Sequence, residues 1–349
     1  MLLGWGDLRA AGPLNPPGAP APTMKSLQEI WDEIQTLKTQ NAALQEQLNT
    51  IQGVVTMEMV TVGNAGNAAD TMGDPNPAGA VAYEYKIGKY EVTNAQYAAF
   101  LNAVAATDAN NLYNTSMGSN VRGGITRSGV SPNFTYAVKA NMGDKPVNYV
   151  SWYDGLRFCN WLHNGQPKGL QDGSTTEGGA YTLTGATSIG AGTDATHGAN
   201  GRNAGARFWL PGEDEWYKAA YHEPGASGNG YWLYPTRSDG APTVATADIF
   251  GNINNDAANI ANYLRGADWN GQDGNVTTVG SGGSGSTSYY GAFDKGGNVW
   301  EWNEQALYGS RGLRGRTWSN HTFLLQRSFR HFDNPTFENN FGGFRVAGP

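Results

Sequence analysis

Gly297-Asn298-Val299-Trp300-Glu301-Trp302 is followed by Leu313-Arg314-Gly315-Arg316-Thr317-Trp318, and the chain closes through Gly343-Phe344-Arg345-Val346-Ala347. Strand alternation in the first segment puts Trp300 and Trp302 on one face and Val299 and Glu301 on the other. A carboxylate so close to core tryptophans needs a partner, because an unpaired buried charge is strongly unfavourable. An arginine such as Arg314 or Arg330 is one candidate.

Between Arg316 and Phe341 two classes of residue interleave. Trp318, Gln326, Arg327, Arg330, Pro335 and Glu338 read as framework. The second class is Thr317, Ser319, Asn320, His321, Phe323, Leu324, Leu325, Phe329, His331, Phe332, Asp333, Asn334, Phe337, Asn339, Asn340 and Phe341. A packed core does not explain phenylalanines, leucines and histidines scattered among arginines and asparagines. If exposed, they form a large aromatic patch of the kind that marks binding surfaces and supplies most of their affinity.

The bulk composition bounds the rest. A chain of 349 residues with 39% hydrophobic content can bury a real core. Its 49 glycines are about twice the usual share and its 15% of charged residues is low, so turns and backbone hydrogen bonds carry much of a loop-rich architecture. A net charge of −7 argues against nucleic acid as a partner. No apolar run approaches the length of a membrane span. Cys159 is the one cysteine, which excludes an intrachain disulfide. The opening Met1-Leu2-Leu3-Gly4 does not read as a secretory signal, and nothing in the sequence assigns a compartment.

Residues 1–23 carry Pro13, Pro16, Pro17, Pro20 and Pro22 among small residues and read as an extended leader. From 24 to 55 the pattern is heptad. Leu27, Ile34, Asn41, Leu48 and Val55 occupy one sevenfold series, and Ile30, Leu37, Leu44 and Ile51 the other. The remaining positions are nearly all polar, so the stripe is narrow enough for a partner seam between copies of the chain. A helix docked on its own domain is the alternative. Asn41 at a central core position fixes register, as in parallel dimers, with a trimer the other outcome. Residues 56–349 read as one domain, because no linker separates two cores.

Three passages give that domain its character. Tyr83–Val92 alternates like a strand, and Thr93 caps a helix. Pro146–Trp152 leads into a second helix through Leu162. Arg207-Phe208-Trp209-Leu210-Pro211-Gly212-Glu213-Asp214-Glu215-Trp216 gives a strand, a turn and a third helix. Together with the closing motifs, these passages resemble the formylglycine-generating-enzyme (sulfatase-modifying factor) domain, an α+β variant of the C-type lectin fold. Residues 164–206 and 225–290 are Gly-, Ser-, Thr- and Asn-rich insertions in it.

The resemblance implies chemistry that this sequence only partly supports. Laying Gly315-Arg316-Thr317-Trp318 on the family motif puts the two copper-binding cysteine positions at Asn320 and Leu325, neither of which is a thiol. Copper is therefore not expected, and Cys159, on a helical face with Trp152 and Leu156, reads as core. His163, His197, His222, His321 and His331 show no metal spacing. The resemblance does imply structural calcium, held by Asp294, Glu301 and the Gly297 and Val299 carbonyls, and in a second set by Asn262, Asp273 and the Tyr263 and Asn275 carbonyls.

The 316–341 stretch also resembles the variable region of a diversity-generating-retroelement target protein. Every residue of its second class belongs to the set reached by replacing the adenines of an asparagine codon. That resemblance implies a non-catalytic protein whose C-terminal surface binds a protein or cell-surface ligand. A formylglycine-generating-type oxidoreductase and a catalytically silent structural member of the family are the alternatives.

Overall fold

The computed structural model describes residues 25–52, 54–183, 185, 201–255 and 257–349. The leader of residues 1–23 lies outside them. The chain divides at Gln52 into two compact units. The first contains helix α1, Leu27–Gln52. Ser26 and Glu29 cap it reciprocally: the Glu29 amide donates to Ser26 Oγ at 3.1 Å and the Ser26 amide to Glu29 Oε2 at 2.7 Å. Its heptad residues Leu27, Ile30, Ile34, Leu37 and Leu44 are exposed, Leu27 to 86%.

The second unit, Gly53–Pro349, is the α+β domain. Strand β1 (Met59–Val62) pairs antiparallel with β2 (Tyr85–Gly88). Helix α2 (Asn94–Val104) follows, capped by Thr93 and Gln96 in both directions. The expected strand over 83–92 is thus shorter, because the chain must turn at Lys89–Tyr90 to enter the helix. Helix α3 (Ser116–Ser119) precedes the hairpin of β3 (Ile125–Ser128) and β4 (Thr135–Val138). Helix α4 (Trp152–His163) starts from a Ser151–Asp154 capping box. Helix α5 (Glu213–Tyr221) is the third expected helix, but Trp209 before it forms only an isolated bridge with Ala347. After the short helix α6 (Ser227–Gly230) come β5 (Thr243–Val244) and β6 (Ile260–Ala261), paired parallel.

The closing motifs build the second main sheet. Strands β7 (Trp300–Leu307) and β8 (Ser310–Arg314) form a hairpin whose turn residues Tyr308 and Gly309 both have positive φ, the conformation a tight two-residue turn requires. β9 (His331–Asp333) adds to β8, and β10 (Gly342–Gly343) adds parallel to β7, giving the order β10-β7-β8-β9. The last strand, β11 (Ala347–Gly348), returns to β2. Both sheets and helices α2 and α4 enclose the core.

Alternation in Phe344-Arg345-Val346 serves two purposes. Phe344 packs against Phe158, with ring centroids 5.4 Å apart, beside Tyr97 and Phe100. Arg345, equally buried, points to the opposite side, at Glu301. Cys159 lies in the same core, its thiol pushed up by burial, as its place on the apolar helix face requires.

Candidate binding site

Strands β7, β8, β9 and β10 present one shared face. Trp300 and Trp302 from β7, Leu313 from β8, His331 and Asp333 from β9, and Phe337, Asn339, Phe341 and Gly342 around β10 line a cavity of about 230 Å³. The pairing register explains this: Trp302 lies opposite Leu313, Leu313 opposite His331, and Trp300 opposite Gly342. Trp302 forms the floor, its indole N–H satisfied by the Val150 carbonyl at 3.0 Å. His331 stacks on Trp300 with centroids 5.5 Å apart, and Asp333 lies 3.9 Å from its Nε2. Desolvation pushes the His331 pKa down against the pull of Asp333.

From this cavity a row of stacked side chains runs across the surface. Arg316 lies over Trp300 at 4.4 Å and over Phe329 at 5.3 Å. Phe329 meets Phe323 edge-on at 5.7 Å, and Phe323 stacks with His321 at 6.3 Å. Burial lowers the Arg316 pKa to about 10, which leaves it charged at neutral pH. Phe323 is 54% exposed and Phe337 44%. Arg316 and Trp300 were outside the surface class read from the sequence. The partial exposure of Trp300 follows from the stacking geometry, which strand alternation does not specify.

The framework residues anchor this surface to the domain. Arg327 pairs with Asp70 at 3.2 Å, Arg330 with Asp74 at 3.1 Å, and Gln326 donates to Tyr234 Oη at 3.0 Å. The Pro335 carbonyl accepts the Trp152 amide at 3.0 Å. Glu338 accepts from Asn114 and shares a cleft with Asp154; burial and their mutual repulsion raise the Asp154 pKa, and burial raises that of Glu338.

Ser319, Asn320, Leu324, Phe332, Asn334 and Asn340 reach the surface with the row. Two members of the surface class do not. Thr317 is buried and bonded to Asn320 Oδ1 at 2.9 Å, and Leu325 packs among Tyr234, Ala261 and Tyr263. Their positions in a turn and a short 3₁₀ segment point them inward, which composition does not reveal.

Glu301 has a different partner from either arginine expected. Arg345 binds it with two bonds of 2.7 Å, Nε to Oε2 and Nη2 to Oε1. Arg314 instead pairs with Glu213, and Arg330 with Asp74. Trp216 Nε1 donates to Glu301 Oε2 at 2.6 Å, and Lys295 Nζ lies 3.4 Å from the same oxygen. Burial alone would raise the Glu301 pKa; Arg345 and Lys295 outweigh it and hold the group below its usual value. Asp294, raised to about 6 by burial, accepts the Gly280 amide at 2.6 Å.

The first set of residues implied for calcium does not fit that ion. The Glu301 carboxylate already faces two cations, both of its oxygens accept from Arg345, and Asp294 Oδ2 accepts the Gly280 amide. The second set is only half assembled. Asn262 Nδ2 donates to the Asn275 carbonyl at 2.9 Å, and Asn262 Oδ1 is buried without a hydrogen-bond partner. The Asp273 carboxylate, however, pairs with Arg265 at 3.1 Å with its side chain 73% exposed, and the Tyr263 carbonyl accepts the Gly266 amide. A hard divalent cation is given no carboxylate there. Among the described residues, no group of three or more His, Cys, Asp or Glu side chains is placed to hold a metal ion.

This fold and these motifs agree with the comparison to known families. The chain belongs to the family of the sulfatase-modifying factor enzyme 1-like domain, which matches residues 35–348. Among solved structures, the chain is similar to Treponema denticola variable protein 1, at 20% identity and a TM-score of 0.46, covering 85% of this chain and 96% of that one. CarF matches at 20% identity and 0.47, covering 84% and 98%. PvdO from Pseudomonas aeruginosa matches at 16% and 0.42, covering 84% and 92%. No curated protein matches the sequence. None of the described helices is long and apolar enough to cross a membrane.

Proposed function

We propose that this protein is a non-catalytic ligand-binding member of its family, displaying a diversified surface of residues 316–341 to a protein or cell-surface ligand. The observation that supports this is the unbroken row His321–Phe323–Phe329–Arg316–Trp300–His331 ending in the cavity over Trp302. Aromatic and arginine side chains held against one another bury a large area at little entropic cost, which is what binding hot spots require. Framework side chains bond into the domain, while most of the intervening ones face outward. Side chains can thus change without unseating the backbone.

Lectin-like display gains from multivalency, and the exposed heptad stripe of α1 supports association into a dimer or trimer. The oxidoreductase reading lacks its chemistry. Asn320 and Leu325 stand at the copper-cysteine positions, and the single thiol, Cys159, is buried in α4.

The deciding experiment is deep sequencing of the 3′ end of the gene and its flanks in the source population. A near-repeat with mismatches confined to template adenines, falling on the codons of the surface class, is the expected result. An invariant 3′ end without a repeat would overturn diversification, and oxygen-dependent conversion of a cysteine in a sulfatase peptide would overturn the non-catalytic reading.

A further inference from the structure

We infer that Lys295 is the built-in counter-cation of the Glu301 cluster, and that it makes the domain independent of calcium. Lys295 is 2% exposed, a rare state for a lysine, and its surroundings account for it. Nζ sits 3.6 Å from the centroid of the Trp216 ring and 3.4 Å from Glu301 Oε2. An ammonium over an indole face is held by the ring quadrupole, and it is held more strongly away from water.

Trp216 contributes twice, since its Nε1 donates to that same Oε2 at 2.6 Å. Arg345 completes the arrangement with its bidentate grip, while its Nη1 and Nη2 also reach the Gly88 and Phe293 carbonyls at 2.8 Å. Glu91, anchored by Asn298 Nδ2 at 2.8 Å, and Asp294 lie beside them.

The cluster therefore places two fixed cations among three carboxylates; Lys295, Arg345, Glu91 and Glu301 are buried and Asp294 is partly so. A calcium ion needs six to eight oxygens at roughly 2.3–2.6 Å. Here it would have to displace a guanidinium and an ammonium from the same carboxylate. The lysine supplies the positive charge without that desolvation and rebinding, and it stitches β7 to α5 through Glu301 and Trp216. In this chain the Glu301 carboxylate is closed off by Lys295, Arg345 and Trp216.

The test is thermal melting of the full chain in chelator and in millimolar calcium, with equilibrium dialysis against radioactive calcium, for the wild type and K295M. The wild type is expected to bind no calcium and to melt at the same midpoint in both buffers. K295M, which keeps the length of the side chain and removes its charge, is expected to melt several degrees lower in chelator. A wild-type midpoint raised by several degrees in calcium, or K295M melting at the wild-type midpoint in chelator, would overturn the proposal. If K295M does not fold, the wild-type arms decide it alone.

Discussion

Strand β7 carries two chemistries on its two faces. Glu301 points into a buried cluster where Arg345 and Lys295 face its carboxylate, whereas Trp300 and Trp302 line a cavity open to the surface. One residue of backbone separates a buried, charge-paired side chain from two that border the exposed row of side chains. A pleated strand can do this because its faces are independent, and because β8 and β10 hold it on both sides.

Substitutions should separate the two faces, and the largest effect is expected at Glu301. Glu301→Gln leaves Arg345 and Lys295 buried without their carboxylate, a change that typically costs about 3–5 kcal/mol. Chemical denaturation measures it, and a loss under about 1 kcal/mol would show that the cluster is not the rigid half of the comparison. Within the surface stretch itself, Leu325→Ala should lose about 2–5 kcal/mol, because its side chain is fully packed among Tyr234, Ala261 and Tyr263. Phe323→Ala, a few residues away, should change stability by no more than about 0.5 kcal/mol while weakening ligand binding at least tenfold. Equal stability losses at the two positions would erase the distinction between inward and outward members.

The framework offers a pH test of intermediate size. Asp154 and Glu338 both have folded-state pKa values above their unfolded ones, so the folded protein holds their protons more tightly. Their contribution is complete below the ordinary carboxylate range, about pH 4, and is lost as pH rises through the raised values. Melting temperature should therefore fall from mildly acidic to neutral pH, and less steeply in Glu338→Gln. Identical slopes in the two proteins would remove the pair as a cause. Asp294 and Glu304, raised to about 6 and about 7, titrate in both proteins and cancel in the difference.

The smallest stability effect belongs to the other unit. Ile34→Lys with Leu37→Lys places charge in the exposed heptad stripe, so it should abolish association in sedimentation while leaving the domain's melting unchanged. A monomeric wild type would end the avidity argument.

Much of this was legible in the chain. The Thr93 and Ser151 caps start helices α2 and α4 where local hydrogen bonding dictates. The placement of Trp300 and Trp302 on one face follows from the period of a strand. Partner choice was not legible. Glu301 takes Arg345 rather than Arg314, its register partner on β8, because neighbouring strands fix which backbones lie opposite but not which long side chains meet. For the same reason Asp273 turns outward to Arg265 although sequence places it among oxygen donors.

By itself, then, the sequence determined the family and the starts of helices α2, α4 and α5, since these rest on local capping and motifs. Tertiary structure alone decided that Lys295 and Arg345 share Glu301, that Thr317 and Leu325 turn inward, and that Arg316 joins Trp300 to Phe329 in one row. The physical reason is range. Propensity acts over a few residues, whereas charge pairing and stacking are settled by which distant side chains the closed fold brings within a few ångströms.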